Sequence, residues 1–167
     1  SYIYIFVKIT LVVPQMRGGT METIYDILKA EHKQVSDLIQ QAMRDGSKES
    51  FFKVKAKTDP HLLGEEKLFY PLLQGKSELS ELVNHAYEEH NEIKSISSEL
   101  ESMDAGSSNW TSKIKELDES VSHHVEEEET KVFPEAQKVL SQDKAQQIAQ
   151  QYLDFSKSFK QEQPSMP

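Results

Sequence analysis

The segment HVEEEETKVFP, residues 124–134, repeats the pattern of an earlier segment, HLLGEEKLFYP, residues 61–71. Each begins with histidine, carries glutamate at its fifth and sixth positions, has an aromatic residue at its tenth and ends in proline. A histidine and a glutamate four positions apart lie on one face of a helix, one turn from each other. The repeat therefore predicts two ligand pairs that each point toward one place in the core, namely His61 with Glu65 and His124 with Glu128.

Amphipathic helical patterns extend on both sides of these segments. Apolar residues at helical spacing predict four long helices, at about residues 21–44, 47–74, 78–103 and 109–140, and a shorter one at about 142–160. We expect Pro60 to kink or restart the second helix and Pro134 to bend or end the fourth. Because short connections place consecutive helices antiparallel, the predicted fold is all-α: an up-down-up-down four-helix bundle with an additional C-terminal helix.

Composition restricts the classes of function. A chain of 167 residues with 37% hydrophobic residues is long enough for one domain with a core. A net charge of -9 argues against nucleic acid, since affinity for the phosphate backbone comes from lysine and arginine. The chain has no cysteine, which excludes thiolate metal sites, so any metal must be held by nitrogen and oxygen ligands.

The first twenty residues differ from the rest of the chain. SYIYIFVKITLVV is apolar, but it is shorter than the roughly 20 residues that a membrane span requires, and we expect no membrane association. A strand, a weak anchor and a non-native extension are all open interpretations, and we favour the last because Met21 opens a good helical start. The predicted division is an N-terminal extension at 1–20, a bundle at 21–140 and a C-terminal helix and tail at 141–167.

Each of the four predicted bundle helices carries one histidine on its apolar stripe. Taken singly, such a histidine is more often a hydrogen-bonded core residue than a metal ligand. Two buried carboxylates, however, would each cost several kcal/mol of desolvation without a positive partner, and no lysine or arginine lies on these stripes. A bound cation is the simplest counter-charge, so the predicted metal ligands are His32, His61, Glu65, His90, His124 and Glu128.

The remaining histidines and acidic residues are assigned to the surface. His85 is about 140° around the helix from His90, and His123 is about 100° from His124, so both should point away from the centre or lie at the bundle edge. The other members of the acidic runs are interpreted as mostly solvated, namely Glu66, Glu126, Glu127 and Glu129.

The number and type of ligands indicate the metal. Four imidazoles and two carboxylates exceed the four ligands of a structural zinc and are too rich in nitrogen for calcium or magnesium. Two first-row ions about 3.5 to 4 Å apart, bridged by the glutamates, fit better. The ferritin-like carboxylate proteins use Glu-x-x-His, whereas this chain has His-x-x-x-Glu.

These motifs resemble the hemerythrin-like family, specifically the HHE cation-binding domains. The resemblance covers about residues 21–140 and rests on His32, HLLGEEKLFYP, His90 in YEEHNEI, and HHVEEEETKVFP. It implies a four-helix bundle that encloses two iron ions, with Glu65 and Glu128 as bridges and with manganese or zinc as substitutes. It also implies that the ligand is a small diatomic molecule such as oxygen or nitric oxide, a peroxide, or iron itself.

The sequence departs from the oxygen carriers of this family in two places. Ala86 stands where their third helix has a further histidine, and Glu128 follows His124 at four positions where they have an aspartate at five. One iron is then more open, or is completed by water, His85 or Tyr87, so reversible oxygen transport is disfavoured.

Three functions remain open from the sequence. The first is a di-iron protein that binds or senses a small ligand or handles iron. The second is a redox enzyme at the same centre, acting in peroxide breakdown, ferrous oxidation or repair of iron-sulfur centres. The third is a metal-free helical interaction module that uses the acidic surface. We expect a cytoplasmic location, and the sequence identifies no protein partner.

Overall fold

The structure is a computed structural model that describes residues 16–17, 20–75 and 77–162. Its helices are α1 (Ile24–Asp45), α2 (Lys48–Gly64), α3 (Ser77–Ser102), α4 (Ser108–Glu127), α5 (Phe133–Val139) and α6 (Gln142–Glu162). A π-helical turn, Glu65–Phe69, and a 3-10 turn, Tyr70–Leu72, follow α2, and a second π-helical turn, Glu128–Val132, joins α4 to α5. The predicted all-α bundle with an additional C-terminal helix is confirmed.

The ends of the chain are described only in part. Two short strands, β1 (Met16–Arg17) and β2 (Thr20–Met21), pair in antiparallel fashion. The other residues of the predicted N-terminal extension, and the last five of the predicted tail, lie outside the described residues. The division into three segments stays a prediction. Within the described part of the chain, no helix is both long and apolar enough to cross a bilayer.

Local capping sets the bounds of α1. The Thr23 side chain accepts a hydrogen bond from the Asp26 backbone N–H, and the Asp26 carboxylate accepts one from the Thr23 backbone N–H, so the helix begins at Ile24 rather than at Met21. This reciprocal pair satisfies two of the N–H groups that have no partner at a helix start. Gly46 ends the helix in the left-handed conformation, with φ of 61°, which glycine adopts without steric cost.

The bundle core consists of two separate apolar clusters. The first contains residues from the start of α1, the start of α3, both π-helical turns and α6. The second contains residues from the end of α1, from α2, from the end of α3 and from most of α4. Successive helices therefore run through the clusters in opposite directions, as the up-down-up-down topology requires. Histidines and glutamates from all four helices fill the level between the two clusters.

The second and fourth predicted helices do not remain α-helical to their ends. Pro60 lies inside α2, which continues from Lys48 through Gly64, so the expected restart at Pro60 does not occur. The α-helical pattern changes instead at Glu65 and at Glu128, where the π-helical turns begin. The regular part of the fourth helix ends earlier than predicted, because α4 stops at Glu127, and Pro134 lies instead in the first turn of α5.

The last helix packs across α1, α2 and the first π-helical turn. Its close approach depends on Gly64, because a Cβ atom added there would lie 2.5 Å from Cε2 of Tyr152. Tyr152 is completely buried at this contact. The expectation that this helix is a packing element holds, and the contact also brings a phenol to the polar level of the bundle.

Candidate metal centre

The structure brings all six predicted ligand side chains together. They lie at the polar level between the two apolar clusters, and each is at most 4% exposed to solvent. Their donor atoms form two groups within which every pair lies closer than 4.8 Å. The first group is His32, His61, Glu65 and Glu128, and the second is Glu65, His90 and His124. Their role as metal ligands stays a prediction, which these distances support.

The first group surrounds one oxygen of each glutamate. His61 Nε2 lies 3.0 Å from Glu65 Oε1, and His32 Nε2 lies 3.1 Å from Glu128 Oε2. The two pairs are close to each other, since His32 Nε2 is also 4.0 Å from Glu65 Oε1. Two imidazoles and two carboxylates thus face one point.

The second group uses the other oxygen of Glu65. His90 Nε2 lies 3.1 Å from Glu65 Oε2 and 3.2 Å from His124 Nε2. Glu128 Oε2, which belongs to the first group, is 3.8 Å from His124 Nε2. The Glu65 carboxylate therefore spans both groups, with one oxygen directed to each.

Unpartnered buried atoms show that the donor set fits a cation. His32 Nε2, Glu65 Oε1 and Glu128 Oε2 are buried and have no hydrogen-bond partner in the described part of the chain. A buried polar atom without a partner costs about 1–3 kcal/mol. All three atoms belong to the first group, so one cation at that point would serve them together.

Each of the four histidines directs its other ring nitrogen to a further carboxylate. The Nδ1 atoms lie 2.7 to 2.9 Å from oxygens of glutamates on neighbouring elements. The pairs are His32 with Glu129, His61 with Glu31, His90 with Glu66, and His124 with Glu89. Such carboxylates fix the tautomer and orientation of a ligating histidine and increase its basicity.

These outer carboxylates correct one sequence interpretation. Glu66 and Glu129 were expected to be mostly solvated, but their side chains are only 17% and 32% exposed and both contact a histidine of the centre. Each follows an inward glutamate by one residue, so it is turned about 100° toward the neighbouring helix. Glu126 is exposed, so its surface assignment holds, whereas Glu127 is only 21% exposed and pairs with Lys131 rather than with a histidine of the centre.

Glu31 and Glu89 were missed by the sequence reasoning. Each stands directly before an inward histidine, but it contacts the histidine of the adjacent helix instead. The sequence signal that could have identified them is the position of each glutamate, which directly precedes an inward histidine at the edge of the apolar stripe.

The charges of the outer layer are balanced in part by two lysines. Lys57 Nζ lies 2.6 Å from Glu31 Oε1, and Lys94 Nζ lies 2.6 Å from Glu66 Oε1. Neither lysine contacts Glu65 or Glu128 in the described contacts, so the two inner carboxylates depend on imidazoles or on a cation.

Burial and pairing shift the ionisation of the Glu31–His61 pair. Burial raises the pKa of Glu31, but hydrogen bonds from His61, Lys57 and Tyr152 and the charge of His61 outweigh it, so the pKa is about 2. Burial lowers the pKa of His61, and the charges and hydrogen bonds of Glu65 and Glu31 outweigh it, which raises the pKa to about 10. Carboxylates also raise the pKa values of His32 and His90 against the effect of burial.

Tyr70 reaches the centre, although it was not predicted to. Its hydroxyl donates to Glu128 Oε1 at 2.7 Å and lies 3.2 Å from His90 Nε2 and 3.3 Å from Glu65 Oε2. Burial and the nearby charges of Glu128 and Glu65 raise the pKa of this phenol well above its ordinary value. The expected candidate, Tyr87, donates instead to the backbone carbonyl of Glu66.

The first π-helical turn explains the placement of Tyr70. In an α-helix, a residue five positions after Glu65 would lie about 140° away from it around the axis. Here the Tyr70 backbone N–H donates to the Glu65 carbonyl five residues earlier, which widens the turn and brings Tyr70 back over the inner face. The same bond joins Phe133 to Glu128 in the second turn, where the Phe133 ring stacks on His32 with centroids 6.1 Å apart.

Tyr152 contributes from the last helix. Its hydroxyl forms a short hydrogen bond to Glu31 Oε2 and lies 3.3 Å from His61 Nδ1. Burial and the charge of Glu31 raise the pKa of Tyr152 far above its ordinary value. This helix, which contains no histidine, therefore supports the orientation of His61 through Glu31.

His85 and His123 lie outside both groups, as the helical geometry predicts. Their side chains are 51% and 61% exposed. The alternative that His85 completes the inner centre receives no support from these positions.

A small apolar cavity adjoins the centre. Its volume is about 10 Å³, and its walls include His32, His61 and His124 together with Val35, Thr58, Leu62, Ile93, Val121 and Val125. That volume is about what one water molecule requires.

The fold and this polar layer define a class: a four-helix bundle with a candidate metal centre of histidines and carboxylates. The sequence matches the hemerythrin HHE cation binding domain over residues 23–136, and the chain belongs to this family. It is therefore an HHE cation-binding protein whose His/Glu clusters can hold a metal.

One curated protein shows a weak similarity to this chain. The chain is 22% identical over 136 residues to a DNA nickase of Nostoc sp. (strain PCC 7120 / SAG 25.82 / UTEX 2576), an alignment that covers 77% of this chain. The chain spans only 38% of the length of that relative. No solved structure matches the chain.

Proposed function

We propose that this chain is a non-haem di-iron protein. His32, His61, Glu65 and Glu128 would hold one iron ion, and His90, His124 and Glu65 would hold the other, with Glu65 and Glu128 as bridges. The observation that carries the proposal is the position of Glu65, which is fully buried and directs one oxygen to each group of ligands. Manganese or zinc can take the same nitrogen and oxygen donors.

The cavity beside the centre favours a small ligand. A space of about 10 Å³ with mostly apolar walls is close to the size of one water molecule, which favours a very small ligand such as oxygen or nitric oxide over an organic substrate. Iron, when bound, supplies coordination positions and redox chemistry for such a molecule. We propose binding or sensing of this ligand as the function.

Tyr70 favours a second candidate, redox catalysis at the same centre. The second group has three protein donors where the first has four, and the Tyr70 hydroxyl lies beside the smaller group. The corresponding residue of the repeat on the other side is Phe133, which has no hydroxyl. Tyr70 therefore holds a proton at the more open metal position, next to Glu128 Oε1. Peroxide breakdown or ferrous oxidation would use such a group.

Iron loading tests the first proposal. Protein loaded with Fe²⁺ without oxygen should bind two ions per chain and develop a ligand-to-metal charge-transfer band on exposure to air. The double variant Glu65→Ala/Glu128→Ala should bind neither ion, while Glu126→Ala, which removes an exposed carboxylate of the same acidic run, should behave as the unmodified chain. A colourless product that binds zinc one-to-one and takes up no iron would contradict the proposal.

Turnover separates the two candidates. If the chain only binds its ligand, iron-loaded protein should bind nitric oxide without consuming peroxide. If it is a redox enzyme, it should consume peroxide, and Tyr70→Phe should reduce turnover more than it reduces nitric oxide binding.

We do not propose DNA as a substrate. The activity in the name of the Nostoc relative belongs to a protein that this chain matches over 38% of its length. A net charge of -9 also repels a phosphate backbone. Nicking of supercoiled plasmid by metal-loaded protein, lost in Glu65→Ala/Glu128→Ala, would reverse this conclusion.

A further inference from the structure

A third group of metal-ligand residues lies at the surface, between α3 and α4. His85 Nε2 and His123 Nε2 are each 3.3 Å from the same atom, Glu89 Oε1. The three donor atoms lie within 4.8 Å of one another. His85 and Glu89 are four residues apart on α3, which is the spacing of His61 with Glu65 and of His124 with Glu128.

Glu89 presents an unsatisfied buried oxygen to this group. The residue is only 6% exposed, and its Oε2 accepts a hydrogen bond from His124 Nδ1 at 2.8 Å. Its Oε1 is buried and forms no hydrogen bond with any described residue. An unpaired buried carboxylate oxygen is costly, and one cation could satisfy this atom and both imidazoles together.

We propose that His85, Glu89 and His123 form a third metal site that binds a divalent first-row transition ion. Two imidazoles and one carboxylate suit Zn²⁺ or Cu²⁺, whereas Ca²⁺ and Mg²⁺ prefer oxygen donors alone. Because both histidines are more than half exposed, the remaining coordination positions of the ion face solvent.

The surroundings favour a cation. An open cleft of about 510 Å³ beside His85 is lined by the carboxylates of Glu78, Glu81 and Glu135, with Lys131 as its one cationic lining residue among those described. Lys131 itself pairs with Glu127. Clustered carboxylates raise the local concentration of cations.

Glu89 links this surface site to the inner centre. One of its oxygens faces the proposed ion, and the other orients His124, a member of the second inner group. An ion bound to Glu89 Oε1 would partly neutralise the Glu89 carboxylate and so weaken its hydrogen bond with His124 Nδ1. The proposal does not depend on iron in the inner centre, because the three surface donors belong to neither inner group.

Equilibrium dialysis against Zn²⁺, followed by elemental analysis, tests the site. Compared with the unmodified chain, His85→Gln and His123→Gln should each bind one ion fewer at the same free Zn²⁺ concentration. Glu92→Gln is the matched control, since it removes an exposed carboxylate of α3 that lies outside the group. Both histidines are exposed, so the variants should fold, and unchanged circular dichroism melting curves will verify this.

The comparison counts a difference of one ion, so it is independent of whether the inner centre holds zinc, iron or nothing. Equal zinc content in the unmodified chain and both histidine variants would overturn the proposal. Loss of the same ion in Glu92→Gln would also overturn it, because the effect would then reflect general surface charge. Electron paramagnetic resonance with Cu²⁺ should show nitrogen coupling that weakens in each histidine variant.

Discussion

The four histidines of the centre have both ring nitrogens engaged. Each Nε2 lies within 4 Å of an oxygen of an inner glutamate, and each Nδ1 faces an outer glutamate. In the metal-bound form this arrangement would keep the proton on Nδ1 and leave Nε2 to act as the donor to the metal. In this centre all four histidines have a carboxylate near each of their two ring nitrogens, and this feature distinguishes them from a buried histidine that forms a single hydrogen bond.

Glu129→Gln should weaken metal binding without preventing folding. The side chain is 32% exposed, and its contact with the centre is the 2.7 Å pair with His32 Nδ1. Loss of such an outer carboxylate typically lowers metal affinity by about 10- to 100-fold. Competition with a chromophoric chelator measures this change. Glu126→Gln is the control, and equal affinities for the two variants would show that Glu129 does not support His32.

Tyr70→Phe should affect the second inner ion more than the first. The substitution removes the hydroxyl beside His90 and leaves Glu128 Oε1 without its donor, at a cost of about 1–3 kcal/mol. Stepwise iron titration should show a weaker second binding event. Tyr87→Phe removes a hydroxyl that contacts only a backbone carbonyl in the described bonds, so it should leave both events unchanged. Identical titrations for the two variants would argue against a role for Tyr70.

At the scale of elements, the two π-helical turns distinguish this bundle from four regular helices. In each, the residue before the repeat proline donates its N–H to the carbonyl of the inner glutamate five residues earlier. The turns place Tyr70 over one group and Phe133 over the other, so two similar segments produce different chemical surroundings. Wide turns of this kind are frequent at functional sites.

Gly64→Ala should loosen the last helix. The added methyl group would lie 2.5 Å from the Tyr152 ring, and overpacking of this kind costs about 1–3 kcal/mol. We expect a lower free energy of unfolding in urea titrations and a weaker hydrogen bond from Tyr152 to Glu31. Glu127→Ala is the control, because Glu127 holds the same position in the second segment and its side chain forms an ion pair with Lys131 one turn away. A Gly64→Ala variant as stable as this control would contradict the packing argument.

At the scale of the whole molecule, a charged layer divides the apolar core in two. Metal loading should therefore stabilise the fold, because the ion binds the native arrangement and relieves the inner carboxylates. A free metal concentration of 100 times the dissociation constant corresponds to about 2.7 kcal/mol. Thermal unfolding with and without Fe²⁺ measures this gain. In Glu65→Ala/Glu128→Ala the gain should vanish, and a metal-free interaction module would show no gain in either protein.

Metal affinity should rise with pH. A metal needs the neutral imidazole, but the pKa of His61 is raised to about 10, and those of His32 and His90 are raised as well. At neutral pH His61 holds a proton that the ion must displace, and the raised pKa values of His32 and His90 act in the same direction, so binding should release protons and strengthen as the pH rises toward 10. Calorimetry in buffers of different ionisation enthalpy counts the released protons. An affinity that is constant between pH 6 and 8 would contradict this linkage.

The helical class, the order of the long helices and the six converging side chains could be predicted from the sequence. These features depend on positions one turn apart in one helix, and helix geometry sets that relation wherever the helix packs. The repeat then identified His61, Glu65, His124 and Glu128 among many similar residues. The family match confirms the class of protein that these residues indicated.

Tertiary structure alone decided the partners that come from other elements. Glu31, Glu66, Glu89 and Glu129 each contact a histidine on a different helix, and those contacts depend on how the helices are rotated against each other. Tyr70 depends on a widened turn, and Tyr152 depends on the docking of α6 at Gly64. The physical reason is one of range: hydrogen bonds within a helix determine which residues share a face, whereas packing between helices determines what that face meets.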